Sequence, residues 1–282
     1  MKKDLAVIPI AAIMFLLPWI FKGEDCKNGL ANELISVHFV DVGQGDCELV
    51  ELPENKYMLI DAGDNGAEDA IFSYLDKEGV KKIDYLVATH PHADHIGGME
   101  EVIKKYDIGE IYMPKKESTS MTFEKMIDAI DEKNLSIHIA EAGKNIFDYA
   151  DVRADFLGPQ KDYDDLNNAS AVVKLKCGDK SFLFMGDAES SAELDILSGG
   201  EDVSCNVLKV GHHGSTTSSS EQFLEKARPE YAVISCGKGN KYGHPHKETL
   251  DKLKQIHANV LRTDEMGTII IKTDGHNLQV ER

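Results

Sequence analysis

Thr89-His90-Pro91-His92-Ala93-Asp94-His95-Ile96-Gly97-Gly98 carries the densest chemical signal in the chain. Three histidines and one aspartate fall within residues 90–95, directly after an apolar strand pattern. Imidazole nitrogens suit zinc and neighbouring transition metals, and a carboxylate adds a charged ligand. Four such ligands on one tight loop cannot all reach a single tetrahedral ion along with ligands from other elements. They divide more naturally between two adjacent ions. Gly97 and Gly98 read as residues that let the chain turn sharply into a helix close to the site.

Outward from this loop, short β-branched runs alternate with helical patterns. Strands are expected over 36–40, 47–51, 57–60, 85–89, 108–113, 136–140, 152–157, 171–175, 181–185, 207–210, 231–235, 260–263, 268–272 and 278–281. Helices are expected over 67–78, 98–106, 121–133, 190–198, 221–227 and 247–257. Helices between groups of strands predict an α/β fold of two mixed sheets packed together with helices outside. Residues 158–168, GPQKDYDDLNN, form the clearest irregular loop, and nothing in them reads as an interdomain linker. One domain is therefore expected over 35–282.

The 282 residues hold 31 Lys plus Arg against 49 Asp plus Glu, a formal net charge of -18. So acidic a protein does not hold a polyanion through its overall field, so a nucleic-acid role needs a local basic patch. Cys26, Cys47, Cys177, Cys205 and Cys236 are scattered and odd in number, which fits neither a disulfide scaffold nor a zinc ribbon. Residues 5–21, LAVIPIAAIMFLLPWIF, are uncharged and flanked by Lys2, Lys3 and Lys22. Residues 1–30 thus read as an export signal or uncleaved membrane anchor, with the rest outside the cytoplasm.

The loop matches His-x-His-x-Asp-His, and the chain resembles the metallo-β-lactamase superfamily, more closely the hydrolase domain of ComEC-type DNA-uptake proteins. Residues 38–46 (HFVDVGQGD), 167–170 (NNAS), 184–188 (FMGDA), 208–215 (LKVGHHGS), 240–246 (NKYGHPH) and 262–264 (RTD) carry the match in order. The resemblance implies a four-layer αββα sandwich with a two-metal site at one end of the sheets. It assigns His90 and His92 to a first metal, Asp94 and His95 to a second, and Asp187 to a bridge between them. One histidine of the pair His212 and His213 completes the second site, with His212 favoured. The first site lacks a further histidine, because His138 reads as a packed or edge residue of a strand. Asn168 or Ser170 is expected there instead. Fewer nitrogen ligands leave manganese open beside zinc. Asp41, Asp46, Asp61 and Asp64, near strand ends, are candidates to hold the ligating histidines in place.

Two divalent ions about 3.5–4 Å apart ready a water for attack at neutral pH, which points to a hydrolase. No Gly-x-Ser-x-Gly motif supports a serine hydrolase. Lys238, Lys241, His244, His246 and Lys247 cluster in GKGNKYGHPHK, a local concentration of positive potential. Lys238, Lys241 and Ser170 are candidates for substrate binding. Asp94, His244 and His246 are candidates for catalysis, with a histidine of the loop stabilising the oxyanion or protonating the leaving group. The expected function is an exported phosphodiesterase or nuclease. The alternatives are a metallohydrolase of small cell-surface phosphoesters, lactams or lactones, and a non-catalytic binding protein on the same fold.

Overall fold

Residues 34–281 are described by a computed structural model, so the N-terminal segment and Cys26 lie outside the described residues. Along the chain run β1 (Ile35–Phe39), β2 (Glu48–Leu52), β3 (Lys56–Ile60), α1 (Glu68–Lys77), β4 (Lys82–Val87), α2 (Ala93–Ile96), α3 (Met99–Lys105) and β5 (Asp107–Met113). Then come α4 (Met121–Glu132), β6 (Ile137–Ile139), β7 (Asn145–Tyr149), β8 (Val152–Gly158), β9 (Val172–Cys177), β10 (Lys180–Phe184), α5 (Ser190–Ser198) and β11 (Val207–Lys209). The chain closes with α6 (Glu221–Ala227), β12 (Tyr231–Ile234), α7 (Lys247–Gln255), β13 (Asn259–Arg262), α8 (Thr263–Met266), β14 (Ile269–Thr273) and β15 (Leu278–Glu281).

Among the described residues the strands form two sheets, ordered β15-β14-β1-β2-β3-β4-β5-β6 and β13-β12-β11-β10-β9-β8-β7. Period-two alternation decides which layer each strand residue joins. In β10, Phe182 and Phe184 enter the core between the sheets, while Leu183 faces the outer helices. In β3, Met58 and Ile60 face the other sheet and Leu59 faces α1 and α3. The inner strands are thus covered on both faces, which gives the αββα sandwich that the sequence implies. The edge strand β7 escaped the sequence reading. A register shift between Asn145 and Phe147 breaks its alternation, so the periodic signal is lost.

Both sheets use the same crossover device. β3, β4, β5 and β6 run parallel through α1, α3 and α4. β10, β11, β12 and β13 run parallel through α5, α6 and α7. The C-terminal ends of parallel strands, where the chain leaves the sheet, are where such folds gather ligand-binding loops. Asp61 follows β3, residues 89–95 follow β4, Asp187 follows β10, and His212 and His213 follow β11.

On the outer face of β1, buried His38 places Nε2 2.8 Å from Ser36 Oγ and Nδ1 2.6 Å from Tyr74 Oη on α1. Burial first, then Lys272 and Lys77, lower its pKa to about 4. The unfolded chain takes up this proton near pH 6.5, well before the native one. The contribution to stability is therefore complete above about pH 6.5 and is lost as the pH falls toward 4. Wild-type protein should lose about 2 kcal/mol more than His38→Gln between pH 7 and pH 5, read from urea unfolding at each pH. Equal losses would show that burial does not hold this imidazole neutral.

Candidate metal centre

The loops that leave β3, β4, β10 and β11 bring their side chains to one point. Ligand atoms of His90, His92 and Asp187 lie within 4.8 Å of one another, as do those of Asp94, His95 and His213. Asp187 faces both groups. Its Oδ2 is 3.7 Å from His90 Nε2, and its Oδ1 is 3.2 Å from His95 Nε2 and 3.6 Å from His213 Nε2. His90 Nε2 and His92 Nδ1 face each other at 2.9 Å. His95 Nε2, His213 Nε2 and Asp187 Oδ1 are buried without a hydrogen-bond partner. Buried polar atoms rarely go unsatisfied. Nitrogen and carboxylate donors converging this way fit divalent cations shared between two adjacent positions.

The rest of the shell aims these atoms. Asp61 accepts from Thr89 N at 2.8 Å and Thr89 Oγ1 at 2.6 Å, and its Oδ2 lies 2.6 Å from His95 Nδ1. With Nδ1 occupied, Nε2 of His95 is left facing the cavity. His213 is held the same way, with Nδ1 3.0 Å from the Ser235 carbonyl and 3.2 Å from Asp46 Oδ1. Ser170 Oγ accepts from Asp187 N at 3.1 Å and lies 3.4 Å from His90 Nδ1. Asp46 is paired in turn with buried Lys209, 2.7 Å away.

The electrostatics follow from these contacts. Burial opposes charge on His213, yet Asp187 and Asp46 overcome it and push the pKa up to about 10. Burial likewise opposes charge on His95, and Asp187 and Asp61 raise it well above the ordinary imidazole value. Burial raises the carboxyl of Glu48 far above its usual range, and Asp46 adds to the shift. Burial thus favours the neutral form of Glu48 beside the Asp46–Lys209 pair.

Several placements differ from the sequence expectations. His213, not the favoured His212, joins Asp94 and His95. His212 Nδ1 is taken by Glu189 and Thr217, at 3.1 and 3.2 Å, and its Nε2 lies 3.7 Å from Asp187 Oδ2. Ser170 is fully buried behind His90 and Asp187, so it orients ligands and does not meet substrate. Asn168 is turned into the fold, bonding Asp165 and Ala192 N, and Asn167 lines the cavity in its place. Of the four aspartates near strand ends, Asp46 and Asp61 enter the site, while Asp41 and Asp64 are exposed and accept from Gly43 N and Asn65 N. His138, by contrast, is an exposed residue of edge strand β6, one of the two expected placements, with its ring against Tyr112. Gly97 and Gly98 have φ of −55° and −87°, so no left-handed turn requires them. A Cβ on Gly97 would sit 2.2 Å from Asn65 N and 2.3 Å from the Asp64 carbonyl carbon. Close approach of the two loops is what demands glycine. Lys209 and Glu48 went unassigned in the sequence. A lone lysine inside the apolar strand run VLKV was their signal.

A cleft of about 350 Å³ opens over the donor atoms, lined by His92, Asp94, Asp187, His212 and His213 on its floor. Gln44, Asn167, Tyr242 and His244 form its walls. Lys238 and Lys241 are exposed outside it, with Lys241 Nζ 5.0 Å from the Tyr242 ring centre. His246 also stays outside, with Nδ1 accepting from Thr216 N at 3.1 Å.

The sandwich and the cluster at its end define a class of protein, and the sequence profile of the metallo-β-lactamase superfamily matches residues 40–238. The chain belongs to that superfamily and is a metal-dependent hydrolase of it. It is 32% identical over 251 residues to ComE operon protein 3 of Bacillus subtilis, covering 83% of this chain and 32% of that protein. It is 34% identical over 233 residues to competence protein ComA of Neisseria gonorrhoeae, covering 81% and 31%. The chain thus spans about a third of the length of these ComEC-type relatives. A crystal structure of a metal-dependent hydrolase from Parabacteroides distasonis shares the fold, with TM-score 0.52, 14% identity, and coverage of 82% of this chain and 93% of that one.

Two predictions come from this geometry. Metal must displace the protons on His95 and His213, so its affinity should rise about tenfold per pH unit per proton displaced between pH 6.5 and 8.5. In metal-free protein the same protonation adds stability that is complete below about pH 6.5 and lost as the pH climbs toward 10. Competition titrations against a chelator decide, and a pH-independent affinity would mean neutral imidazoles. Gly97→Ala should cost about 1–3 kcal/mol in denaturant unfolding, because backbone atoms must move to admit the methyl group. A variant as stable as wild type would show that these loops yield freely.

Proposed function

We propose that this chain is a phosphodiesterase that works outside the cytoplasm and uses water as its nucleophile. The observation that carries the reading is His244, which enters the same cleft as the paired donor sets with its Nδ1 buried and unpartnered. Burial, then the charges of His213 and His212, lower its pKa to about 4. It is therefore neutral at pH 7 and carries one N–H. Asn240 fixes its backbone, accepting from His244 N at 3.0 Å and donating to the His244 carbonyl at 2.6 Å. A neutral imidazole beside a reacting phosphate can donate to a developing oxyanion or to the leaving oxygen.

His90, His92, Asp187, Asp94, His95 and His213 would hold two divalent ions, zinc first and manganese second. Such ions supply charge neutralisation at phosphoryl oxygens and a nucleophile at neutral pH. Asp61, Asp46 and Ser170 keep the donor atoms aimed, and the walls of the cleft orient the ester. Export rests on residues 1–30, read as a signal or anchor. Single-stranded DNA as the polymer substrate is supported by the likeness to proteins named for competence, and Lys238 and Lys241 beside the cleft would meet its flanking phosphates. A small cell-surface phosphoester is the second reading, favoured by the net charge of -18 and the modest cleft.

Metal-loaded protein should hydrolyse bis-p-nitrophenyl phosphate. His244→Ala should lower kcat by about a hundredfold or more with metal content unchanged, and His246→Ala should stay within about threefold, since His246 lies outside the cleft. No turnover by wild type on phosphodiesters, with lactam or lactone hydrolysis in its place, would sink the phosphodiesterase reading. Cleavage of single-stranded DNA against a panel of small phosphoesters separates the two substrate classes.

A further inference from the structure

We propose that Gln44 is a substrate-binding residue whose side-chain N–H donates to a non-bridging oxygen of the bound phosphoester. The inference rests on the phosphoester reading above and adds a residue to it.

Gln44 sits in the loop that joins β1 to β2 and lines the same cleft as Asn167. Its amide has one orientation. Gly237 N donates to Gln44 Oε1 at 3.1 Å, and a backbone N–H accepts nothing, so oxygen must face it. Nε2 is then turned away from Gly237, and it is buried without a hydrogen-bond partner. A buried donor with no partner is costly in a finished fold. Gln44 itself lines the cleft, so a ligand oxygen drawn against this side chain would supply the missing acceptor.

The loop is built to keep the amide there. Gly43 and Gly45 have φ of 77° and 142°, values that glycine adopts without strain. Asp46 N donates to the Asp94 carbonyl at 3.1 Å. A Cβ on Gly45 would fall 2.5 Å from that carbonyl oxygen, and one on Gly237 would fall 2.7 Å from Gln44 N. The loop is therefore pressed on one side against the metal-ligand turn and on the other against the loop that carries His244. Asn167, elsewhere in the lining, has the reverse polarity. Asn167 Nδ2 donates to Glu189 Oε1 at 3.1 Å, which leaves Asn167 Oδ1 buried and without a partner. A phosphate oxygen is thus accepted beside Gln44 and repelled beside Asn167.

The test compares wild type, Gln44→Met and Gln44→Glu in the metal-loaded full chain. Two readouts are used: hydrolysis of bis-p-nitrophenyl phosphate, and the Kd for inorganic phosphate by calorimetry. Losing a hydrogen bond to a charged oxygen predicts about a tenfold to hundredfold drop in kcat/KM for Gln44→Met, and a matching rise in the phosphate Kd. Metal content and Tm should not change. Gln44→Glu still accepts from Gly237 N, but its charge repels phosphate under either role, so it serves only to check folding and metal content. If Gln44→Met does not fold, Gln44→Ser, uncharged and too short to reach the ligand, decides by the same two readouts. An active wild type with the uncharged variant within about threefold of it in both readouts overturns the Gln44 assignment alone. An inactive wild type overturns the phosphodiesterase reading. Phosphate binding then still decides Gln44, and no phosphate binding by wild type overturns both.

Discussion

The centre is governed by a shortage of positive charge. Asp46, Asp61, Asp94 and Asp187 meet at the ends of the parallel strands, and among the described residues Lys209 is the one cation of fixed charge that touches them. Three of these carboxylates are almost completely buried. A buried carboxylate left uncompensated costs several kcal/mol. Lys209 answers Asp46, which leaves three negative charges. Protons on His95 and His213 answer part of that deficit, which is why both imidazoles hold a proton so tightly. Divalent cations answer it more completely, and they use the donor atoms that the apo arrangement leaves unsatisfied. The histidines are thereby tuned as ligands by the carboxylates around them.

The fold makes this concentration tolerable. Asp61 leaves β3 with φ of 57°, and its carboxylate binds Thr89 and His95 from the loop after the neighbouring strand β4. His212 and His213 adopt φ of 49° and 52°, a conformation that costs a non-glycine residue on the order of 1–3 kcal/mol. The Ser235 carbonyl, at the end of the next parallel strand, holds His213 in that conformation. Asp61 and His213 are each secured by the segment that follows the adjacent parallel strand. The site therefore depends on correct strand order in both sheets, and burial of alternate residues on each face supplies that order.

The periodic elements were legible because alternation is local. The loop of residues 89–98 was legible because its ligands are crowded into one stretch of chain. What was not legible depends on contacts distant in sequence. Spacing does not distinguish His212 from His213, because the choice is made by Ser235, which is 22 residues away. Asn168 and Asn167 look alike in sequence, and Asp165 decides that Asn168 turns inward. Gln44 stands in a motif whose glycines are conspicuous, but its role depends on Gly237, 193 residues later. Gly97 was noticed for the wrong physical reason. Its backbone is ordinary, and what matters is the loop pressed against it.

The acidity of the chain and the proposed phosphate substrate are reconciled by distance. At physiological ionic strength charges are screened over about 8 Å, so the net charge of -18 weakens long-range attraction and says little about the cleft. What a phosphate meets there is local: Gln44 and His244 on the walls, and carboxylates on the floor. With the floor carrying only its carboxylates and two protonated imidazoles, an anion gains little. With divalent cations in place, the same floor becomes attractive. Anion affinity and metal affinity are then coupled, and by linkage each must raise the other by the same factor. An acidic exterior with a cation-dependent interior would therefore discriminate by itself, rejecting polyanions that only brush the surface and retaining a phosphoester that reaches a loaded centre.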